Sequence, residues 1–583
     1  LVPDLVSALK NRARGYIGSS HQEEQTHSAI FPESPVFAAF HSAIRDFGRE
    51  DYDAISDDIL LEAFRTTIPF TNYNSYEPFV AKFLTETCQE DDVRDMFSPG
   101  LPHHIAVTSS TSSPKPKFFC KYQHQDSMRR NLGDSGEIFW TFSLHYRQLV
   151  KIQDRNGDII KTVPAGLGSS GGVRMLHGLE VENDHSNIKL AGEWSTSPIA
   201  VGFIRDYRAF LLTHTLFALA DGKVEMIFII FTTSAVDMIR YMEEEWETLI
   251  ASIETGELPP WDEIKEVREY LQPHFPPRPE RAAQLRAVGK AADQAGWLVK
   301  IWPMLKSTLS IGSGVFSVAV PKLRFYLGPD VQLRSLGFLT SEAHVASVYD
   351  PSGLNLFKVS SQDLIEYLDV VKEDNVSSIV PPWLVEIGKH YEIVCTTRDG
   401  LWRYRLGDIV EIAGFDPTDG SPIIRYFGRR KQEMRSVITW MAGGALTEQH
   451  ITAAILAVQD TLAPIVEFTA IIDSHSGIPT LAYLVEVHGE LHPEATKAPM
   501  KLHGELCRLN EEFDPRRMQI PTIRVLEPGA FGEYRQWRIE VTNSGSGQTK
   551  VPVLMWDNSA REWMLARVRR ELAADPNTGA LQG

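Results

Sequence analysis

Residues 224–231 read VEMIFIIF, an almost unbroken apolar run that constrains the fold more than any other stretch of the chain. The run has the length of a β-strand, and a strand without alternating polar positions is buried on both faces. Apolar residues then recur every three or four positions from Val236 onward, which predicts a helix over residues 234–255. Ser234 is its predicted N-cap and Gly256 its stop signal. A buried strand followed by a helix predicts an α/β fold with layered sheets and helices.

A length of 583 residues predicts more than one domain. The pattern changes near residue 430, after two strand-like segments at 391–397 and 408–415. We therefore predict a large N-terminal domain over residues 1–430 and a smaller α+β domain over residues 431–583. The second domain is predicted to contain helices at 451–462, 498–513 and 559–572 and strands at 465–472 and 480–487. The Pro-rich stretch after the first helix is either a further boundary or an internal excursion.

The net charge of −18 argues against a general nucleic-acid or anionic-membrane binder, which needs an excess of Lys and Arg. The longest apolar run is too short to span a bilayer. Four scattered cysteines without a CxxC pair disfavour a metal or redox site and suit free thiols in a reducing cytosol. We therefore expect a cytoplasmic monomer with no nucleic-acid or membrane partner.

Residues 107–117 read VTSSTSSPKPK and allow two interpretations. Hydroxyls and backbone N–H groups in a tight turn are phosphate ligands, and Lys115 and Lys117 would add positive charge. However, the stretch contains no glycine, and its two prolines have no N–H to donate. Taken alone, these residues favour a polar linker over a phosphate loop.

Residues 337–349, GFLTSEAHVASVY, place Glu342 directly after two hydroxyl residues. A carboxylate there could bind a hard cation such as Mg²⁺ through oxygen. Alternatively, Ser341 caps a helix that has Glu342 in its first turn, and the spacing alone favours this cap.

Three further stretches, at residues 400–412, 425–431 and 545–552, each have a functional and a structural interpretation. In GLWRYRLGDIVEI, Asp408 could grip the paired hydroxyls of a ribose or be an ordinary turn residue. The basic cluster RYFGRRK is an anion site or a solvated hinge. In GSGQTKVP, a Gly-rich loop presents Lys550, which is either functional or a solvated surface lysine.

In their order along the chain, these stretches resemble the motifs of the plant auxin-responsive acyl-acid amido synthetases. This Gretchen Hagen family belongs to the luciferase-like adenylate-forming superfamily, and the resemblance runs from about residue 60 to about residue 555. FLTSE stands for the family's Tyr-x-Ser-Ser-Glu motif, YRLGD matches Tyr-Arg-x-Gly-Asp, and QTKVP is similar to Gln-Tyr-Lys-x-Pro. Residues 109–117 stand where the family has its phosphate loop, and residues 301–328 resemble the wall of its acyl pocket.

The resemblance implies a role for each matching residue. The residues implied to contact the ATP phosphates are Thr108, Ser109, Ser110, Thr111, Ser112 and Lys117. Phe338 would lie against adenine beside Leu339, and Asp408 would bind the ribose. Arg429 or Arg430 would mark the hinge of a mobile C-terminal domain.

The remaining implied roles concern the reacting groups. Thr340 and Ser341 would help to hold the nucleotide or the acyl carboxylate, and Glu342 would hold Mg²⁺. Ser313 and Phe316 would line the acyl pocket, and Lys550 would bridge the attacking carboxylate and the α-phosphate.

The implied activity is an ATP-dependent amide synthesis in which a carboxylic acid becomes an acyl-adenylate and is transferred to an amine or amino acid. One alternative is an adenylating ligase with a thiol or alcohol acceptor, and another is a non-catalytic nucleotide- or acyl-binding protein. Non-glycine residues in the phosphate loop, together with Trp440 and Met441 after the hinge, indicate a divergent, non-plant member of the family.

Overall fold

The computed structural model describes residues 68–108, 116–122, 136–192, 195–291, 294–351, 353–361, 363–430, 446–473, 480–509, 519–543 and 545–573. In chain order, its first strands are β1 (Cys88–Gln89), β2 (His104–Val107), β3 (Phe118–Lys121), β4 (Glu137–Trp140), β5 (Tyr146–Gln153), β6 (Ile159–Gly166), β7 (Val224–Phe231), β8 (Ser307–Ile311), β9 (Gln332–Arg334) and β10 (Phe338–Leu339). The later strands are β11 (His344–Val348), β12 (Phe357–Val359), β13 (Leu364–Asp369), β14 (Ile379–Val380), β15 (His390–Thr396), β16 (Tyr404–Phe415), β17 (Pro422–Arg429), β18 (Ile465–Asp473), β19 (Thr480–Val487), β20 (Thr522–Leu526) and β21 (Val568–Leu572).

The α-helices of the same residues are α1 (Tyr73–Phe83), α2 (Glu90–Val93), α3 (Gly168–Leu176), α4 (Asp184–Asn187), α5 (Tyr207–Ala220), α6 (Thr232–Glu244), α7 (Trp246–Thr255), α8 (Arg268–Leu271), α9 (Pro279–Val288), α10 (Trp297–Ile301), α11 (Val320–Leu327), α12 (Glu448–Leu456), α13 (Gln459–Leu462), α14 (Ala498–Leu509), α15 (Ala530–Thr542) and α16 (Asn558–Leu565). Short 3₁₀ helices lie at Val181–Asn183, Ile199–Phe203, Asp262–Ile264, Gln272–His274, Gly314–Ala319, Val376–Ser378, Ala495–Lys497 and Ser546–Gln548. No helix in the described part of the chain combines the length and the apolar character needed to cross a bilayer.

The described strands form four sheets, which confirms the layered α/β fold class. Their strand orders are β1-β5-β6-β2-β3, β4-β7-β8-β9, β10-β11-β12-β17-β16-β15-β13-β14 and β18-β19-β20-β21. The apolar run Val224–Phe231 is β7, which pairs in parallel with β4 on one side and β8 on the other. Its burial between parallel neighbours explains why it has no alternating polar positions.

The predicted helix after β7 is present, but it is divided into α6 and α7 at Glu245. Gly256 ends α7 in the left-handed conformation (φ +75°), as predicted. The prediction that Ser234 caps the helix is wrong, because α6 begins at Thr232 with no side-chain cap. The strand runs directly into the helix, so no loop residue precedes the first turn.

The Pro-rich stretch is an internal excursion rather than a domain boundary. Leu258, Ile264, Leu271 and Phe275 from this stretch are buried in the same apolar core as the face of α7 that contains Leu249. A boundary would leave few contacts across it, whereas these side chains share one core with residues of the parallel strands β4 and β7, among them Phe139 and Ile227.

The eight-stranded antiparallel sheet contains the two strands predicted before residue 430. They are observed as β15 and β16, and β16 begins at Tyr404, four residues earlier than the predicted start at Asp408. The YRLGD stretch therefore lies within a strand instead of a turn. β17 follows β16 in the chain and pairs with it along its length.

The C-terminal sheet, β18-β19-β20-β21, contains both predicted strands of the second unit. The helix predicted over residues 559–572 is correct only up to Leu565, because Val568–Leu572 pairs with β20 as an edge strand. In that strand Val568 is partly buried and Leu572 is buried, whereas Arg569 and Arg570 are exposed. Pairing with β20 therefore outweighs the helix-like pattern of the sequence.

Candidate active site

The serine-rich stretch connects two neighbouring strands of one sheet. β2 and β3 pair in antiparallel fashion, from His104 opposite Lys121 to Val107 opposite Phe118. Thr108 and Lys117 continue that pairing: the Thr108 N–H donates to the Lys117 carbonyl (2.9 Å), and the Lys117 N–H donates to the Thr108 hydroxyl (3.0 Å). The stretch is thus the connection of a β-hairpin. The implied phosphate contacts Ser109, Ser110, Thr111 and Ser112 lie outside the described residues.

The FLTSE stretch forms a second β-hairpin, between β10 and β11. The Thr340 hydroxyl accepts hydrogen bonds from the N–H groups of Glu342 (3.2 Å) and Ala343 (3.0 Å), which fixes the turn. The alternative that Ser341 caps a helix is therefore wrong, because the chain turns back into a strand at His344. This turn holds Glu342 at a defined, largely buried place.

The backbone groups of Glu342 are both hydrogen-bonded within the two hairpins. Its backbone N–H donates to Thr340, and its backbone carbonyl accepts from Lys121 Nζ (2.8 Å). The bond from Lys121 joins the first hairpin to the second. Among the described residues, no group of three or more His, Cys, Asp or Glu side chains could hold a metal ion by itself. A magnesium ion at a nucleotide needs only one or two carboxylates besides phosphate oxygens, so Glu342 fits that role.

Asp408 lies inside β16 and is nearly inaccessible to solvent. It sits opposite Arg429 of β17, whose Nε donates to Asp408 Oδ1 (2.9 Å). The negative charge of Asp408 raises the pKa of Arg429 further above its usual range. The interpretation of Asp408 as an ordinary turn residue is therefore wrong. Arg430, the other hinge candidate, instead forms an ion pair with Glu392 (3.1 Å).

Lys550 is held against two aromatic rings, so it is not a solvated surface lysine. Its Nζ lies 5.2 Å from the ring centroid of Phe231 and 5.9 Å from that of Phe316, and the two rings stack at 4.2 Å. Within the described residues, its ammonium forms no ion pair. Burial, and secondly the charge of Arg429, lower the pKa of Lys550 to about 8, although Asp408 and Glu342 act in the opposite direction.

The same three charged side chains influence the pKa of Lys117 and the pKa of Lys550. Burial lowers the pKa of Lys117, and Glu342, Arg429 and Asp408 then act on it in decreasing order. The two lysines come from segments more than 400 residues apart in the chain, yet the same three side chains influence both. The five side chains therefore lie within electrostatic range of one another. Two of them are carboxylates, which can bind a metal or hydroxyls, and two are lysines, which suit anions.

The apolar residues that the resemblance places at adenine lie in β10, directly before the turn that holds Glu342. Phe338 is buried, and its ring packs on Phe357 (6.2 Å) and edge-on against Tyr426 (5.7 Å). Leu339 follows it at the end of β10 and is partly buried. The structure thus places the Phe338 ring in the core of the antiparallel sheet, next to a tyrosine that sequence reasoning did not single out.

Phe316 belongs to the 3₁₀ helix Gly314–Ala319 between β8 and α11. Ser313 is the residue before this helix, and the Phe316 carbonyl accepts a hydrogen bond from the Thr232 hydroxyl (2.6 Å). Phe231, which stacks on Phe316, was missed by sequence reasoning. The sequence could have pointed to Phe231, because it is the last residue of a buried parallel strand and ligands bind beyond the carboxyl ends of such strands.

Comparisons with known proteins show which proteins this chain is similar to. Residues 46–332 match the model of the GH3 family N-terminal domain, and residues 359–429 match the model of the GH3 family central domain. The rice (Oryza sativa subsp. indica) indole-3-acetic acid-amido synthetase GH3.8 is 28% identical over 55% of this chain and 55% of its own length, so that alignment spans only about half of it. The Arabidopsis thaliana indole-3-acetic acid-amido synthetase GH3.10 is 23% identical over 87% of this chain and 88% of its own length.

A jasmonoyl–L-amino acid synthetase of Nicotiana attenuata, JAR4, is 24% identical over 75% of both chains. Among solved structures, the GH3.15 acyl acid amido synthetase superposes with a TM-score of 0.69 at 19% identity, covering 94% of this chain and 95% of that one. A second GH3.15 structure, in complex with 2,4-DB, gives the same TM-score and covers 97% and 98%. At these identities, the structural likeness establishes a shared fold.

Proposed function

This chain belongs to the GH3 family, and from that premise we propose that it is an ATP-dependent acyl-acid amido synthetase, a ligase that forms a carbon–nitrogen bond. The observation that carries the proposal is the convergence of Lys117, Glu342, Asp408, Arg429 and Lys550 on one region. The proposed substrates are ATP, a carboxylic acid and an amine or amino acid. The names of the relatives include a carboxylic acid, indole-3-acetic acid, and an L-amino acid.

ATP occupies the region between the two hairpins and the β16–β17 strand pair. The hairpin loop from Thr108 to Ser112, together with Lys117, takes the phosphates, and Asp408 takes the ribose hydroxyls. Phe338 and Leu339 lie on the adenine side. Glu342 holds Mg²⁺, which supplies positive charge that offsets the phosphate charge. Arg429 neutralises Asp408 from the neighbouring strand and so limits the electrostatic cost of burying that carboxylate beside an anionic ligand.

The first step is attack of a substrate carboxylate oxygen on the α-phosphorus of ATP. An O–P bond forms, the bond to the β,γ-diphosphate breaks, and pyrophosphate leaves. Two anions must approach each other, so a cation aimed at the developing charge lowers the barrier. Lys550 fills this role because it is a cation beside apolar rings, with no competing carboxylate at ion-pair distance among the described residues.

The second step is attack of an amine nitrogen on the acyl carbon. A C–N bond forms, the acyl C–O bond to AMP breaks, and the nitrogen loses a proton to give the amide. Ser313, Phe316, Thr340 and Ser341 are the residues proposed to contact the acyl group. Close packing of these residues would also keep water from the reactive adenylate.

We further propose that residues 1–430 form the acyl- and ATP-binding domain and that residues 431–583 form a mobile C-terminal domain that supplies Lys550. The C-terminal unit has its own sheet and supplies nearly all residues of one apolar core, which supports this division. The enzyme is proposed to be cytoplasmic and monomeric, and its free cysteines suit a reducing compartment.

The test of the proposed function is exchange of radiolabelled pyrophosphate into ATP in the presence of a panel of carboxylic acids. The expected result is exchange that depends on one class of acid and an amide that mass spectrometry detects after an amine panel is added. Activity only with a thiol or alcohol acceptor would instead establish a different ligase. No exchange with any acid, together with no ATP-induced thermal shift, would leave a non-catalytic protein and overturn the proposal.

A further inference from the structure

A buried guanidinium joins three elements that are distant in sequence. Arg535 of α15 is only 1% exposed at its side chain. Its Nη1 donates to Asp237 Oδ2 of α6 (2.8 Å), and its Nη2 donates to both carboxylate oxygens of Glu467 of β18 (2.6 and 2.5 Å). One side chain thus connects the helix that follows the central parallel strand with the C-terminal sheet. We call Asp237, Arg535 and Glu467 the clamp.

Further polar contacts surround the clamp. The Tyr207 hydroxyl donates to Asp237 Oδ2 (3.0 Å), and Arg240 reaches both Asp237 Oδ1 (3.1 Å) and Glu486 Oε1 of β19 (3.2 Å). Glu486 also accepts from the N–H groups at the start of α15, at Gly529 (2.8 Å) and Phe531 (3.2 Å). The first turn of α15 is therefore fixed by the same network that holds Arg535.

The helix α15 lies so close to α6 that any side chain at Gly532 would displace the side-chain ends of Tyr241 and Arg240. A Cβ on Gly532 would lie 2.4 Å from the Tyr241 hydroxyl oxygen and 2.5 Å from Arg240 Nη2. In addition, the Tyr207 N–H donates to Gln536 Oε1 of α15 (2.7 Å). These contacts seat α15 on α5 and α6.

The docked helix leads into the segment that contains Lys550. Beyond its end, the Asn543 side chain donates to the Arg147 carbonyl (3.2 Å), and the Ser546 hydroxyl donates to the Arg205 carbonyl (2.7 Å). Only a few residues separate Ser546 from Lys550. The position of Lys550 beside Phe231 and Phe316 thus depends on where α15 ends and on the direction of the chain after it.

We propose that Arg535 is a positioning residue, which by joining Asp237 to Glu467 seats the Lys550 segment against the Phe231–Phe316 ring pair. The guanidinium suits this task because its fixed fork of donors can serve two carboxylates at once, which a lysine ammonium cannot do with the same geometry. The placement of Lys550 by the clamp stands on the contacts alone, and only its consequence for catalysis rests on the proposed function.

The test measures the pKa of Lys550 in the full chain without any substrate. Trace acetic anhydride labels the neutral form of each lysine, and mass spectrometry of the peptides gives labelling rates across a pH series, with Lys497 as an internal reference. In the unaltered chain the apparent pKa of Lys550 is expected at about 8. In Arg535→Lys it is expected to move toward the ordinary value of about 10.4, because the lysine leaves the rings for water.

A matched control lies on the same helix. Arg538 pairs with Asp557 within the C-terminal unit (2.9 Å) and does not form part of the clamp. Arg538→Lys should leave the labelling profile of Lys550 unchanged. Asp237→Asn is a second clamp variant for the case in which Arg535→Lys does not fold, and circular dichroism verifies the fold of each variant. A folded clamp variant in which Lys550 still titrates near 8 would overturn the proposal.

A second readout is the pH profile of acid-dependent pyrophosphate exchange. A clamp variant should move the alkaline limb of that profile to higher pH, whereas a mere loss of folded enzyme lowers the rate at every pH without changing the profile. An unmoved alkaline limb in an active clamp variant counts against the proposal. If no acid supports exchange, the proposed function fails while the labelling experiment still decides the role of Arg535.

Discussion

Lys550 is the residue on which the proposed first step most depends. Lys550→Ala removes the cation beside the reacting phosphate, so acid-dependent pyrophosphate exchange should fall by about 10²–10³-fold, the usual loss for one transition-state donor. ATP affinity should change little, because Lys117 and the phosphate loop remain. Rapid-quench exchange assays and calorimetric titration with ATP separate the two effects. Unchanged exchange would remove Lys550 from the mechanism.

Asp408 should affect binding of ATP instead of the chemical step. Asp408→Asn keeps an oxygen that Arg429 can bind but weakens hydrogen bonds to ribose hydroxyls, worth about 1.5–3 kcal/mol for a charged acceptor. The Kd for ATP should therefore rise about 10- to 100-fold in calorimetric titrations. Glu411→Gln is the matched control, because Glu411 pairs with Arg425 across the same two strands at an exposed position (3.3 Å). Equal ATP affinity in both variants would contradict the ribose role.

The lowered pKa of Lys550 makes a further residue-level prediction. Only the ammonium form can stabilise the developing negative charge, and burial lowers its pKa to about 8. The kcat/KM for ATP, which reports ionisation in the free enzyme, should thus decrease above pH 8 by about tenfold per pH unit. Lys550→Arg should lose this alkaline limb, since a guanidinium stays charged. A flat profile between pH 7 and pH 10 would show that the titration of Lys550 does not matter.

At the scale of elements, the turn between β10 and β11 determines where Glu342 lies. Thr340→Val removes the hydroxyl that binds the N–H groups of Glu342 and Ala343 without changing side-chain size. We expect a loss of about 1 kcal/mol in stability and a higher Mg²⁺ concentration for half-maximal exchange. Thr340→Ser, which keeps the hydroxyl, should behave like the unaltered chain. Thermal melts and Mg²⁺ titrations of exchange check both outcomes.

Elements with a strong local pattern could be predicted from the sequence. The strand Val224–Phe231 could be predicted because a continuous apolar run of this length is typical of a strand buried on both faces. The end of the helix at Gly256 could be predicted because glycine readily adopts the left-handed backbone conformation. The error at Val568–Leu572 has a different origin. That segment becomes a strand because β20 offers an open edge, and such pairing partners are not visible in a local window.

The candidate site could be predicted only in part for the same physical reason. The order of the motifs pointed to Glu342, Asp408 and Lys550, and the structure brings all three near one another. Neither the stacking of Phe231 on Phe316 nor the pairing of Asp408 with Arg429 has a sequence signature. Both result from how separate segments meet, which depends on the tertiary fold.

At the scale of the whole molecule, the C-terminal unit is packed on the rest of the chain at several places. Val318 of the 3₁₀ helix near Lys550 shares an apolar core with Leu446 and Ile451. The clamp adds a polar contact on another side. The proposed movement of the C-terminal domain would therefore have to exchange both these apolar contacts and the ionic contacts of the clamp.

The clamp and its neighbours contain three carboxylates, those of Asp237, Glu467 and Glu486, but only two guanidiniums, those of Arg240 and Arg535. Burial raises the pKa of Glu467 to about 7, above its usual value, and the neighbouring carboxylates of Asp237 and Glu486 act in the same direction. A carboxyl whose pKa is raised by folding stabilises the fold fully below the unfolded pKa, and this stability is lost as pH rises through the folded pKa. Stability should accordingly decrease between about pH 4.5 and pH 7.

Glu467→Gln replaces the titrating group with a neutral side chain of the same shape. Its free energy of unfolding should match that of the unaltered chain near pH 4.5, where Glu467 is protonated, and exceed it above pH 7. The difference should approach about 3 kcal/mol, since each pKa unit corresponds to about 1.4 kcal/mol. Urea unfolding at several pH values measures this difference. The control is Glu533→Gln, which removes the surface ion pair between Arg567 and Glu533, a residue of the helix that contains Arg535. Equal stability of Glu467→Gln and the unaltered chain at pH 8 would mean that Glu467 stays ionised at no cost.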